Sequence, residues 1–555
     1  MNSVIPIVGS FILMFLGYRF YSRFLARKVF KLDDSKPTPA HTFEDGMDYL
    51  PTPKLIVFNH HFASIAGLSP ILGPSLAVIW GWAPTVIWLV VGSILMGAVH
   101  DFSALVLSIR NKGKSVGVVA ENLIGRRAKI LFLLIIFFAV ALAMAVFVIV
   151  VAQLLQSSSD KLQTYPGAIF PAGMLMIIAM ICGVLLRKKV IGLLPVSVIG
   201  TILTFVCIWV GTFLPIHVSY STILYSLLGY AFAASVLPVW LLLQPRDFIN
   251  AFALYIGMIL MYISVFIFQP EIVAPAINTD ASLPKMVPML FVVVACGAIS
   301  GFHSVVASGT TSKQISKESD ARAIGYGAML AEGALGIIAV IACTAGFKTQ
   351  DAWMQHYSSW DSAKGLGSKL SVFVQGAANF ISWLGIPLEL AATFIALIVV
   401  SFALTTLDSG TRILRYNVEE MGDAFHLGFL KNRFISSFAA IFAIWILVIS
   451  NLGLSLWVLF GTTNQLLAGL VLLTATVYLV SKRRPSWVTA IPMVLMLGIT
   501  FWALILNLIS FISAGKTTLI IVGSAIMLLA VFLIIEVIIF FAKGGVGTKS
   551  SISES

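Results

Sequence analysis

Residues 58–70 read Phe58-Asn59-His60-His61-Phe62-Ala63-Ser64-Ile65-Ala66-Gly67-Leu68-Ser69-Pro70, and Gly73-Pro74 follow. They lie in an apolar span, 56–80, long enough to cross a bilayer. Two glycines, two prolines and two serines between Ser64 and Pro74 make a poor continuous helix. The pattern predicts a broken helix whose freed amides and carbonyls face a cavity, because irregular backbone at membrane depth is tolerated only there. The ninth apolar span, 287–310, repeats the pattern in Gly297-Ala298-Ile299-Ser300-Gly301-Phe302-His303-Ser304-Val305-Val306-Ala307-Ser308-Gly309. His61 and Gly67 are six residues apart, as are His303 and Gly309. Two interrupted helices in corresponding places of two halves point to a transporter's binding site. The plainer alternative is that the small residues only let helices pack closely.

The rest of the chain belongs to the same class. Of its 555 residues, 59% are hydrophobic and 10% charged, against about 25% charged in soluble proteins. That balance excludes a soluble enzyme, a disordered chain and a nucleic-acid binder. The unbroken apolar runs exclude an outer-membrane barrel. Fifteen candidate spans run from 5–26 to 517–541, among them 84–108, 323–345, 387–411 and 453–480. The stretch 371–383 is too short to cross and reads as a re-entrant or interfacial piece. The first span leads into Arg19, Arg23, Arg27 and Lys28 and reads as a retained helix rather than a cleaved signal. With the N-terminus outside, 29 Lys and Arg are assigned to inside segments and 6 to outside ones, which accounts for all 35. The expected layout is an N-terminal helix and loop (1–55), a core (56–480), and C-terminal helices ending in a cytoplasmic tail (481–555). Cys182, Cys207, Cys296 and Cys343 all lie in apolar stretches, which argues against disulfides and a metal cluster.

Polar groups inside spans need a reason, since lipid leaves them unpaired. His100-Asp101 lies toward the inner end of the third span, and Glu332-Gly333 near the middle of the tenth. Thr405-Thr406-Leu407-Asp408 closes the eleventh, and Asn464-Gln465 lies in the thirteenth. Glu332, with no cation near it in its own span, suits a proton carrier, as do Asp101 and Asp408. The alternatives are a Glu332 bonded to a neighbouring helix, and pairing of Asp101 and Asp408 with the nearby Arg110 and Arg412. The hydroxyls of Thr405 and Thr406 suit Na⁺, or simply bond back to the preceding turn. Asn464 and Gln465 read more readily as helix glue than as ligands. His61, Ser64, Gly67, His303, Ser304 and Gly309 are the candidates to hold a carboxylate, aided by the new helix N-termini. No Walker loop, metal motif or catalytic nucleophile stands out, so neither an enzyme nor an ATP-driven pump is expected, and no cofactor beyond H⁺ or Na⁺.

The segments NHHFASIAGLSPILGP (59–74), GWAPTVIWLVVGSILMGAVHDFSALVLSIRNKGKSVG (81–117), SGFHSVVASGTTSKQI (300–315), AEGALGIIA (331–339), SFALTTLDSGTRILRY (401–416) and LWVLFGTTNQLLAG (456–469) resemble the carbon starvation protein A (CstA) family. The likeness runs in order over roughly residues 50–480. It implies an all-α transporter of the bacterial inner membrane, related to the amino acid–polyamine–organocation superfamily with its five-plus-five inverted repeat of LeuT-like form. It also implies peptide uptake during carbon limitation, or proton-coupled pyruvate symport. In that superfamily's sodium-coupled members, hydroxyls of the eighth core helix meet carbonyls of the first, and the resemblance implies Thr405 and Thr406 as counterparts here, by position in the repeat rather than by a motif match. The expected partners are a small-molecule substrate and the bilayer. The alternative from another class is a membrane nutrient sensor without net transport.

Overall fold

A computed structural model describes residues 1–542 apart from 47, 157–163, 189, 239, 281–282, 359, 361–365, 451 and 453. The expected cytoplasmic tail after Ala542 therefore lies outside the described residues, as do the basic positions Lys161, Lys189 and Lys364. Among the described residues the regular structure is helical. The strand-like pairings there are two isolated bridges, Asn2–Glu271 and Thr52–Ile315. Long apolar runs leave the backbone no partner but itself in lipid, and a helix satisfies every interior amide within one segment.

Eleven helices are long and apolar enough to cross a membrane, or twelve if the bent pair Lys54–Ile65 and Ser69–Trp80 is one crossing. Helix is found in each of the fifteen expected spans, but fifteen crossings are not, and the smaller number has local causes. Tyr220–Val236 and Arg433–Ile449 are apolar but shorter than a full crossing. The ninth span is three pieces, Met286–Val293, Ala295–Ala298 and Gly301–Gly309. The 371–383 stretch belongs to a longer helix, Leu366–Trp383, that buries Leu370, Val372 and Phe373.

The helices Arg126–Leu155, Leu388–Ala424 and Ser455–Ser481 are buried along most of their length and form the middle of the bundle. Val4–Val29 and Thr517–Ala542 lie at its edge, with Ile5, Phe15, Phe20, Ile521 and Ile538 exposed. Large apolar side chains facing outward are what a lipid-facing perimeter requires. Sequence composition, helix length and this perimeter together define a multi-pass membrane protein.

The two interrupted helices run side by side in opposite directions. At one end, Leu50 N donates to Lys313 O (3.2 Å) and Thr52 N to Gln314 O (3.0 Å). These bonds join the start of the first broken helix to the chain just past the end of the second. At the far end, Trp80 Nε1 donates to Pro284 O (2.8 Å), just before the second begins. The end that carries Leu50 and Lys313 is called the loop end below.

Candidate functional site

The breaks themselves fix the site. Helix Lys54–Ile65 closes with Ala66 N bonded to Phe62 O (2.8 Å). Gly67 N then turns back to Ile65 O (2.8 Å), and a new helix starts at Ser69, bent 45° from the first. Gly67 is required by close approach: a Cβ there would stand 2.3 Å from Thr406 Oγ1. In the second helix the break falls at Ile299 and Ser300, both extended (φ −161° and −132°). His61 therefore lies before its break and His303 after its own. The shared six-residue spacing does not place them at equivalent points, although both sit in the halves nearer the loop end.

Asn464 holds the second break open. Its Oδ1 accepts from Phe302 N (2.8 Å) and Ser300 Oγ (3.3 Å), and its Nδ2 donates to Cys296 Sγ and Ser300 Oγ (3.0 Å each). A side-chain oxygen thus caps an orphan amide of the helix Gly301–Gly309. Gln465 bonds instead to Phe291 O and Thr500 Oγ1. Both residues bond to groups on other helices.

Just past the second break lies a buried charged cluster. Asp101 accepts His100 Nδ1 on one oxygen (2.7 Å) and His303 Nδ1 on the other (2.8 Å). The far side of His303, Nε2, stands 3.1 Å from Glu332 Oε2. That contact is within ion-pair distance but not aligned as a hydrogen bond, and both Glu332 oxygens lack a hydrogen-bond partner. All four residues have no solvent exposure. The Asp101 helix reaches this point through one wide turn, Ser93–Gly97, a distortion common at functional sites. At Gly97 a Cβ would meet Ala298 O at 2.2 Å, so glycine lets the third span touch the break.

The alternative pairings of the carboxylates are not those the structure makes. Arg110 binds Glu318 (2.6 Å) and Tyr478 (2.9 Å), leaving Asp101 to the histidines. Arg412 donates to the carbonyls of Ala234 and Leu237. Asp408 pairs with Arg246 (2.5 Å) and accepts from Tyr230 Oη (2.6 Å). The assignment of Arg246 to an inside loop is also corrected: Arg246 is 1% exposed inside the crossing Pro245–Phe268. A buried guanidinium is tolerable because Asp408, on another helix, faces it. Charge counting along the chain cannot see such a partner 162 residues away.

His61 Nδ1 meets Thr311 Oγ1 (2.9 Å), while its Nε2 and the hydroxyl of Ser64 are buried without partners. Ser304 is committed to Gly301 O of its own turn (2.6 Å). Thr405 Oγ1 accepts from Asn250 Nδ2 (2.8 Å), whereas Thr406 Oγ1, against Gly67, has no partner. Gly309 ends its half-helix and lines a cavity of about 320 Å³ at the loop end, with Ser308, Lys313, Tyr416 and Glu420. His60, Arg246 and Asp247 (below) are further buried polar groups that sequence reading left outside the site.

Two opposed broken helices carrying buried histidines and carboxylates, inside a multi-pass bundle, define an integral membrane protein with an unusual polar midsection. The chain matches the family described as carbon starvation protein CstA over residues 2–360 and 344–503, and it belongs to that family. It is 34% identical to the peptide transporter CstA of Helicobacter pylori, with 92% of this chain and 82% of that one aligned. It is likewise 34% identical to the peptide transporter CstA of Bacillus subtilis, over 89% and 88% of the two chains. The pyruvate/proton symporter BtsT of Escherichia coli is 33% identical over 91% and 81%. Among solved structures, a manganese transporter of Eremococcus coleocola is 12% identical and covers 89% of this chain and 99% of its own, at a TM-score of 0.49. That resemblance is too slight to inform either fold or cargo.

Proposed function

We propose that this chain is a secondary active transporter that imports a small carboxylate-bearing nutrient, pyruvate or short peptides, across the bacterial inner membrane. Relatives named as a peptide transporter and as a pyruvate/proton symporter support transport as the activity. No feature of the relatives or of the site favours the sensor alternative. The repeat would be the inverted five-plus-five arrangement, with the first and second broken helices as its first and sixth members and the N-terminus outside.

The observation that carries the reading is His303 held between Asp101 and Glu332 beside a helix break. Two carboxylates and one imidazole in a buried space cannot all keep their charges cheaply. A proton shared among them is the economical state, and its arrival or loss would change the balance at the break. Glu332, with both oxygens unbonded, is the member freest to exchange that proton. The substrate carboxylate would be met by His61 Nε2 and Ser64 Oγ and by amides freed at the breaks around Gly67 and Ser300.

A second coupling reading rests on Thr406. Its unpartnered hydroxyl lies against Gly67 at the first break, and a hydroxyl together with backbone carbonyls of a broken helix is a donor set suited to Na⁺. Thr405, already bonded by Asn250, is the lesser candidate. The deciding experiment is uptake of labelled pyruvate, and separately of dipeptides, into proteoliposomes with an imposed proton gradient and no Na⁺. Uphill accumulation that collapses with a protonophore is the expected result. Accumulation that requires Na⁺ would move the coupling to Thr406. No uptake or exchange of either solute under both conditions would overturn the transporter reading.

A further inference from the structure

A second buried polar cluster lies on the loop-end side of the first break, separate from Asp101 and Glu332. His60 Nδ1 stands 3.2 Å from Asp247 Oδ2, with the two residues 8% and 1% exposed. Among the described residues no Lys or Arg lies within ion-pair distance of Asp247, because the adjacent Arg246 is turned to Asp408 and Tyr230. Asp247 Oδ1 and His60 Nε2 are both buried and unbonded. A buried carboxylate whose close partner is an imidazole is neutralised when that imidazole takes a proton.

A cavity supplies the route. A space of about 30 Å³, lined by His60, Leu243, Ser409 and Arg412, has room for a water molecule. It shares Asp48, Gly309, Lys313 and Tyr416 with the 320 Å³ cavity at the loop end. The Asp101–His303–Glu332 cluster lines neither. We propose that His60 and Asp247 form a second proton-binding site, through which the transported proton leaves the protein at the loop end. This rests on the proton-coupled reading above and adds a second station to it.

The step is a simple transfer. His60 Nε2 takes a proton, and the imidazolium keeps Nδ1–H toward the Asp247 carboxylate. Once movement of the broken helix opens Nε2 to the cavity, release returns the proton from Nε2 to water there, and no other bond changes. The other groups facing this pair are His61 on its own helix and Arg246 beside Asp247. Tyr230, Asp408 and Arg412 face it from neighbouring helices, and Asp48 and Lys313 from the cavity wall. Because His60 sits on the broken helix and Asp247 on the helix Leu243–Phe268, movement of the broken helix would separate the pair and expel the proton.

The test uses the full chain twice. In proteoliposomes, His60→Gln and Asp247→Asn should each cut uphill uptake by about a hundredfold, the low end of what a placed proton-transfer group contributes. Both should keep substrate exchange within a factor of about two and lose the dependence of uptake on the pH at the loop-end face. Native-level uphill uptake in both variants overturns the proposal. So does parallel loss of uptake and exchange in folded protein, which marks a structural contact. In nanodiscs, ¹⁵N-histidine spectra should show one imidazole responding to pH that His60→Gln removes and Asp247→Asn alters. A pH-silent His60 overturns the proposal even if the native protein carries neither substrate, so this arm stands apart from failure of the transporter reading.

Discussion

Gly67→Ala tests the contact between the first break and the helix Leu388–Ala424. The added Cβ would lie 2.3 Å from Thr406 Oγ1, 3.1 Å from its Cβ and 3.3 Å from its Cγ2. All three obstacles belong to one side chain. Overpacking of this kind costs about 1–3 kcal/mol. Thr406→Ala alone loses a buried methyl, about 0.8 kcal/mol, and no hydrogen bond, since its hydroxyl has no partner. In the double variant the alanine methyl occupies the space the threonine vacates. The pair should therefore be coupled by about 1 kcal/mol or more, beyond the ~0.5 kcal/mol within which independent sites add. SDS-driven unfolding in mixed micelles measures all three variants. Gly73→Ala is the control: there the obstacle is a carbonyl oxygen, Val293 O at 2.6 Å, which Thr406→Ala cannot relieve. Additive effects at Gly67 and Thr406, or equal rescue of Gly73→Ala, would refute the contact.

Asn464→Ala should destabilise by about 2–4 kcal/mol, combining a lost cap with a buried unsatisfied amide. Asn464→Asp, which keeps the acceptor for Phe302 N, should cost less in the same unfolding assay. Glu332→Gln should abolish pH-driven uptake and leave exchange; unchanged uphill uptake would remove Glu332 from coupling. Arg246→Met should cost about 3–5 kcal/mol by stranding Asp408, whereas adding Asp408→Leu should recover much of the loss. A double variant no more stable than the single one would show that Arg246 works through other partners.

The spans and the presence of two broken helices were legible because they are local: apolar runs, glycines and prolines lie next to one another in sequence. The position of the second break was not. Gly297, Ser300 and Gly301 are all near it, yet what sets the break is Asn464, which lies 162 residues beyond Phe302 and accepts its amide. Glu332 was picked out because no cation sits near it in its own span, and His303 reaches it from a different helix. The pairing of Asp408 was read locally, toward Arg412, and the fold instead supplies Arg246. Nearest neighbours along a helix are good guides to propensity and poor guides to which buried charge neutralises which.

The arrangement of bonds around the loop-end half-helices bears on how coupling would work. The two are tied to each other: His61 to Thr311, Leu50 to Lys313 and Thr52 to Gln314. The first is tied to the surrounding helix Leu243–Phe268 by His60–Asp247 and by Tyr255 Oη to Asn59 Oδ1 (2.8 Å). The second is tied to the third and tenth spans by His303 with Asp101 and Glu332. Within the pair the bonds are two backbone bonds and His61–Thr311, whereas three contacts to the surroundings run between a histidine and a carboxylate, beside the neutral ties made by Asn464 and Tyr255. On the proton-coupled reading proposed above, a proton gained or lost at these contacts would alter the pair's grip on the frame. Contacts to the frame that respond to a proton are what conversion of a proton gradient into alternating access would require of these half-helices.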